Sequence, residues 1–205
     1  MGDRVALVTD DGETLDGETA AAGSEIARAV LCHPHPQYGG SMRSLVTSEL
    51  FQALPDHGIS CLRFDFRGVG ASTGSFSDGV GERHDVRAAL GATVDPTGRV
   101  PTFLVGWSFG ADLALSIRDD AHAGWCAIAL PLRWLDDPDA TGADPRPKLV
   151  LLAEHDEFRP AGEVEAVTSH WTATRTEIVG GASHFFVGRT ARLVTAVDDW
   201  ITGLC

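Results

Sequence analysis

The stretch Phe103-Leu104-Val105-Gly106-Trp107-Ser108-Phe109-Gly110-Ala111 decides how this chain is read. An uninterrupted apolar run enters a Gly-x-Ser-x-Gly pentapeptide, and an apolar-periodic segment from Ala111 to Ile117 leaves it. Strand, sharp turn and helix in that order form the setting of a nucleophile elbow, which lifts a serine hydroxyl clear of a buried sheet. Glycines flank the serine because the turn is strained and the helix packs close, leaving no room for a side chain. Short motifs also arise by chance, and Gly70-Ala71-Ser72-Thr73-Gly74 has the same spacing. Ser72 follows its strand after a long gap and precedes no immediate helix, so it reads as a loop residue and Ser108 as the elbow.

Outward from the elbow, apolar runs alternate with helical periods. Residues 3 to 9 and 14 to 20 read as an antiparallel edge hairpin around Asp10-Asp11-Gly12. Ala29-Val30-Leu31-Cys32 is a short, uniformly apolar run, the pattern of a parallel strand covered on both faces, and the prolines of His33-Pro34-His35-Pro36 end it. A helix is expected over residues 42 to 54 with Gly58 stopping it, a strand over 59 to 66, and a helix near 81 to 93. After the elbow come a strand from Trp125 to Leu130, an irregular segment from Pro131 to Pro147, and a strand from Lys148 to Ala153. A helix over 161 to 173, a strand over 176 to 179 and a helix over 187 to 202 complete the chain. Such alternation predicts an α/β fold, a mostly parallel sheet with helices on both faces.

A length of 205 residues predicts one domain, 1–205, able to bury a full core without staples. Acidic residues number 29 against 16 basic ones, a net charge of -13, which argues against nucleic acid and anionic membranes as partners because a polyanion binder needs a basic footprint. Only Lys148 among the basic residues is not arginine. No apolar run approaches the roughly 18 residues that cross a bilayer, and Met1-Gly2-Asp3-Arg4 leads into polar sequence, so a cytoplasmic protein without secretory signal is expected. Cys32, Cys61, Cys126 and Cys205 lack paired spacing; buried free thiols are expected for the first three, and no metal site or cofactor.

A serine hydroxyl is a poor nucleophile at neutral pH and needs a base within hydrogen-bond reach, itself oriented by a third group. Two later strand ends supply candidates. His184, in the small-residue loop Gly180-Gly181-Ala182-Ser183, is placed to act as general base. Asp156 is the preferred acid because a short, rigid carboxylate best holds an imidazole; Glu154 and Glu157 are its alternatives. An oxyanion would need two backbone N–H donors, one from Phe109 and one from the loop after Cys32. Pro34 and Pro36 have none to offer, leaving His35 ahead of Gln37 and Tyr38.

Four motifs in order, His33-Pro34-His35-Pro36 with Gly39-Gly40-Ser41-Met42, Phe64 to Ser72, Gly106 to Ala111 and Gly181 to Phe186, resemble those of the small, lidless hydrolases of the α/β-hydrolase superfamily. The resemblance runs from about residue 27 to 200 and implies a serine hydrolase of ester-like bonds, with Ser108, Asp156 and His184 as triad. Caps in larger relatives follow the strand that here ends at Pro131, and only a short segment separates it from Lys148, so an open site is expected. Trp107, Phe109, Tyr38 and Phe186 are the expected pocket walls. The expected partner is a small ester, with a thioester or amide as variants on the same parts. A catalytically silent scaffold used as a binding module is the alternative. Dehalogenase-like chemistry would need an aspartate where Ser108 stands.

Overall fold

A strand that is paired on both edges and covered on both faces can be apolar at every position, and the uniformly apolar runs take the inner positions of one sheet. The computed structural model describes residues 2–205. Among these residues the sheet has eight strands: β1 (Asp3–Val8), β2 (Thr14–Ala20), β3 (Ala27–Cys32), β4 (Ile59–Phe64), β5 (Thr102–Trp107), β6 (Gly124–Ile128), β7 (Lys148–His155) and β8 (Thr174–Ser183). Their spatial order is β1-β2-β4-β3-β5-β6-β7-β8. The hairpin β1–β2 lies at one edge and joins β4 antiparallel, as its turn residues predict; every other pairing is parallel.

Helices fill the crossovers: α1 (Leu45–Ala53), α2 (Glu82–Thr93), α3 (Phe109–Leu115), α4 (Pro138–Ala143) and α5 (Ala161–Thr168), with α6 (Thr190–Thr202) closing the chain. Strand alternation divides the core into two layers. Phe103, Val105 and Trp107 point to the layer that holds Val46 and Leu50 of α1 and Leu193 and Val197 of α6. Leu104 points to the opposite layer with Leu90 of α2, Leu113 of α3 and Val164 of α5. Truncating a fully buried leucine such as Leu104 to alanine should cost about 2–5 kcal/mol, because the site cannot collapse between packed layers.

Three segments differ from the sequence reading. Within Pro131–Pro147 the chain forms α4, started by the Asp137 carboxylate, which accepts from the Ala140 amide at 2.9 Å, and by Pro138 in the first turn. The helix expected to reach 173 stops at Thr168, and β8 is longer than expected, running from Thr174 through Gly180 and Gly181. Those glycines lie in a register irregularity opposite Glu154, where β8 bulges: three of its residues, 180–182, face the single β7 residue between Ala153 and His155.

Lys148 is buried where β7 begins, its ammonium donating to the carbonyl oxygens of Asp144, Arg146 and Thr172 at 2.6, 3.0 and 3.1 Å. Cys32, Cys61 and Cys126 are buried free thiols in inner strands, where burial pushes the thiol pKa up and leaves them unreactive. No helix among the described residues is long and apolar enough to cross a membrane.

Candidate active site

Ser108 links β5 to α3 with φ 54° and ψ -122°, backbone angles that cost a non-glycine residue on the order of 1–3 kcal/mol and persist only where the surroundings enforce them. The enforcement is visible in its neighbours. The Ser108 amide donates to the Ile128 carbonyl of the adjacent strand at 2.8 Å. A Cβ on Gly106 would lie 2.1 Å from the Gly110 carbonyl oxygen, and one on Gly110 would lie 2.3 Å from that of Cys32. Both glycines are therefore steric requirements of the turn. The second pentapeptide has a different setting: the Ser72 hydroxyl donates to the Asp65 carbonyl at 2.7 Å and accepts the Asp16 amide at 3.0 Å, pinning its loop to β2.

Ser108 Oγ lies 3.0 Å from His184 Nε2, and His184 Nδ1 lies 2.8 Å from Asp156 Oδ2. Three side chains from three strand ends thus form one hydrogen-bonded row. The other Asp156 oxygen accepts the amides of Phe158 and Arg159 at 2.9 and 3.0 Å, which fixes the carboxylate plane. Burial works to raise the Asp156 pKa, yet the bond from His184 and the two amides outweigh it and hold the carboxyl below its ordinary range. The two glutamates beside it serve the backbone of the histidine loop: Glu157 accepts the His184 amide at 3.1 Å and Glu154 the Gly181 amide at 2.6 Å. Neither of them meets the imidazole.

The loop after β3 separates its two histidines. His33 is fully buried, accepts the Phe66 amide on Nε2 at 3.0 Å and therefore donates from Nδ1 to the Pro34 carbonyl at 2.6 Å; burial pushes its pKa down to about 3, so it stays neutral. His35 caps the short turn Pro36–Tyr38 by accepting the Gln37 amide on Nδ1 at 3.2 Å. Its carbonyl oxygen accepts the Tyr38 and Gly40 amides, both at 3.1 Å. Of the donors this loop offers, Gln37 and Tyr38 are already engaged, whereas the His35 amide has no partner among the described residues. The Phe109 amide is likewise free, as expected at a helix start.

A cavity of about 740 Å³ opens over Ser108 and His184. Trp107 and Tyr38 line it, with Tyr38 exposed at the rim. Phe186 does not. The turn that follows His184 gives Phe186 a φ of 53° and sends its ring into the core beside Leu193 and Val197, fully buried, while Phe185 turns toward the cavity. Phe109 is also fully buried, against Phe66, Trp134 and His35, and supports the wall from behind. Trp134 and Phe158 complete the apolar lining. Neither was singled out from the sequence, although each follows the carboxyl end of a strand, where open α/β sheets place their sites.

One buried acid organises this wall. Asp112 of α3, entirely shielded, accepts the amides of Leu132, Arg133 and Trp134 at 3.1, 2.8 and 2.8 Å and so clamps the loop after β6 over the cavity. Burial raises its pKa to about 6 in spite of those amides. Another grouping of ligand-type side chains, Asp10, Asp11 and His84, lies at the β1–β2 turn outside the cavity, and Asp11 is committed to the Arg67 guanidinium at 2.8 and 3.0 Å.

Comparison with known proteins identifies the family and the fold. A Rickettsia prowazekii protein, uncharacterized protein RP471, is 31% identical over 199 residues, which cover 91% of this chain and 84% of that one. An α/β serine hydrolase homologue from Coxiella burnetii superposes with a TM-score of 0.83 at 28% identity, covering 96% of this chain and 95% of its own. A Xanthomonas campestris protein described as an α/β serine hydrolase without lid superposes with a TM-score of 0.84 at 27% identity, covering 99% and 94%. Residues 26–177 match the model of the family described as serine aminopeptidase, S33. The chain belongs to that family, Hydrolase_4, and has the α/β-hydrolase fold without a cap.

Proposed function

We propose that the protein is a serine hydrolase of carboxylic esters, with thioesters as chemically equivalent substrates. The observation that carries this reading is the row Ser108 Oγ, His184 Nε2 and Nδ1, Asp156 Oδ2, with links of 3.0 and 2.8 Å, opening on the cavity. In this mechanism Ser108 attacks the ester carbonyl while His184 takes its proton. Asp156 keeps the imidazole in the tautomer with Nε2 free to accept and stabilises the imidazolium that forms. The oxyanion is held by the free amides of Phe109 and His35. Loss of one such donor lowers turnover on the order of a hundredfold or more. The alcohol leaves with the proton from His184, and water, activated by the same imidazole, releases the acid and frees Ser108.

The family description names aminopeptidases, whose substrates present a protonated α-amine. The cavity is lined by Arg133 and Arg159 and by no aspartate or glutamate, so an ammonium would be repelled there. That electrostatic balance favours esters over peptide N-termini.

Labelling with a fluorophosphonate probe and peptide mapping tests the reading. An adduct is expected at Ser108, absent from Ser108→Ala and retained in Ser72→Ala, with hydrolysis of a short-chain aryl ester following the same pattern. Folded wild-type protein that gives no adduct at Ser108 sinks it.

A further inference from the structure

The chain carries 29 acidic and 16 basic residues, yet the only charged side chains lining the cavity, apart from the histidines, are two arginines. Arg133 comes from the loop after β6 and Arg159 from the loop after β7, so two separate segments bring positive charge to the lining of one cavity. Arg133 is exposed and Arg159 half-buried, so both line the cavity within reach of solvent.

Arg133 has no side-chain hydrogen bond or ion pair among the described residues; its guanidinium lies 4.8 Å over the Trp134 ring, whose neighbour at 4.9 Å is the His35 ring. Its charge is one reason the His35 pKa is lowered, after burial. Arg159 Nε lies 3.3 Å from a Glu163 carboxylate oxygen, an exposed ion pair one helical turn away, without hydrogen-bond geometry and of the kind that contributes little. The backbone amides of both residues are taken, by Asp112 and Asp156, so each loop is held in place independently of its guanidinium.

The other end of the site has the opposite character. A contiguous groove of about 320 Å³ shares Tyr38, Trp107 and Phe185 with the cavity, extends past Leu45 and Val187, and contains no charged side chain. The cavity over Ser108 thus carries the two arginines, and the groove that shares its wall is uncharged.

We propose that the substrate is an ester bearing an anionic group, carboxylate or phosphate, which Arg133 and Arg159 hold while its uncharged portion lies in the apolar groove. This rests on the hydrolase reading above and adds a substrate class to it. Guanidinium forks match both anions through paired N–H donors. Two arginines from different loops can each take one face of the anion and so set the ester carbonyl against Ser108, the positioning that converts binding into rate.

The test separates binding from chemistry. Titration calorimetry on Ser108→Ala, which cannot turn over, compares phenylbutyrate with its neutral isostere phenylbutyramide, and phenylpropyl phosphate with phenylpropanol. At least one anion is expected to bind tenfold or more tightly than its neutral partner; the arm with the larger ratio identifies carboxylate or phosphate. The preference should fall at least tenfold when Arg133→Gln and Arg159→Gln are added to Ser108→Ala. With active enzyme, kcat/KM for a nitrophenyl half-ester of glutarate relative to nitrophenyl butyrate, or for the phosphate-bearing analogue, should show the same dependence. Equal or undetectable binding of both anions, or a preference unchanged in the double arginine variant, overturns the proposal. The wild-type pairs alone decide the matter should the variants misfold. Anion preference without fluorophosphonate reactivity would remove the hydrolase reading and leave the anion site; reactivity without preference would do the reverse.

Discussion

Trp107 donates its indole N–H to the carbonyl oxygen of His184 at 3.1 Å. The residue before the nucleophile thus holds the loop that carries the histidine, and the distance between Ser108 and the imidazole depends on a bond made one residue away. Trp107→Phe keeps the ring in the core and deletes this donor. A neutral hydrogen bond of this type contributes about 1 kcal/mol net. The variant is expected to unfold a few degrees lower by calorimetry and to lose roughly tenfold in kcat through a displaced base. An unchanged kcat would show that the histidine loop is held by other contacts.

The neighbouring carboxylates should separate cleanly. Asp156→Asn leaves the shape intact but presents the wrong partner to Nδ1, and a fall in kcat of roughly 10³–10⁴ is expected. Glu157→Gln retains an oxygen able to accept the His184 amide and should stay within about tenfold of wild type. Steady-state kinetics on an aryl ester reads both, and the opposite ranking would move the acid to Glu157.

Glycines in this chain differ in what surrounds them. Gly110→Ala places a Cβ 2.3 Å from the backbone of Cys32, and a loss of at least about 2 kcal/mol is expected in urea titration because β3 cannot give way. Gly162→Ala, on an exposed position of α5 with nothing within 4 Å, should instead stabilise by about 0.5–1 kcal/mol. Equal effects at both positions would contradict the packing of α3 against the sheet.

Asp112 gives stability a pH dependence of defined sign. Its folded pKa, pushed up to about 6 by burial, lies above the ordinary value of 3.8. Such a carboxyl favours the folded state most below about pH 4 and loses that contribution as pH rises through about 6. The full change is on the order of 3 kcal/mol. Asp112→Asn carries no such titration, so the stability of wild type relative to this variant should decline between about pH 4 and 6 in parallel denaturant titrations. Asp156, whose pKa is lowered, acts in the other direction, its contribution being lost as pH falls through its folded value. A flat difference for Asp112 would mean that its three amides offset burial completely.

Much of the architecture was legible without coordinates. Strands β3 to β7 are built on short, largely apolar runs, the hairpin β1–β2 has a turn between two extended runs, and the glycines around Ser108 announce a turn with no room for side chains. Short-range constraints of this kind are written in neighbouring residues, so the positions of Ser108, Asp156 and His184 after the strands β5, β7 and β8 were expected from the chain alone. The loops have no such period. Among Glu154, Asp156 and Glu157, only the fold shows which carboxylate meets the imidazole, because the β8 bulge before His184 and the amides of Phe158 and Arg159 set the geometry.

Phe185 and Phe186 make the same point, since one residue's advance through a positive-φ turn exchanges cavity for core. The clamp of Asp112 on residues 132–134 and the presence of both Arg133 and Arg159 in the lining of one cavity each bring together segments distant in sequence. The sequence by itself determined the order of the strands and of every helix but α4, and the elbow that carries Ser108, because backbone sterics and burial periodicity act over a few residues. Tertiary structure alone decided which side chains face the serine, because that depends on turn geometry and on contacts across the sheet.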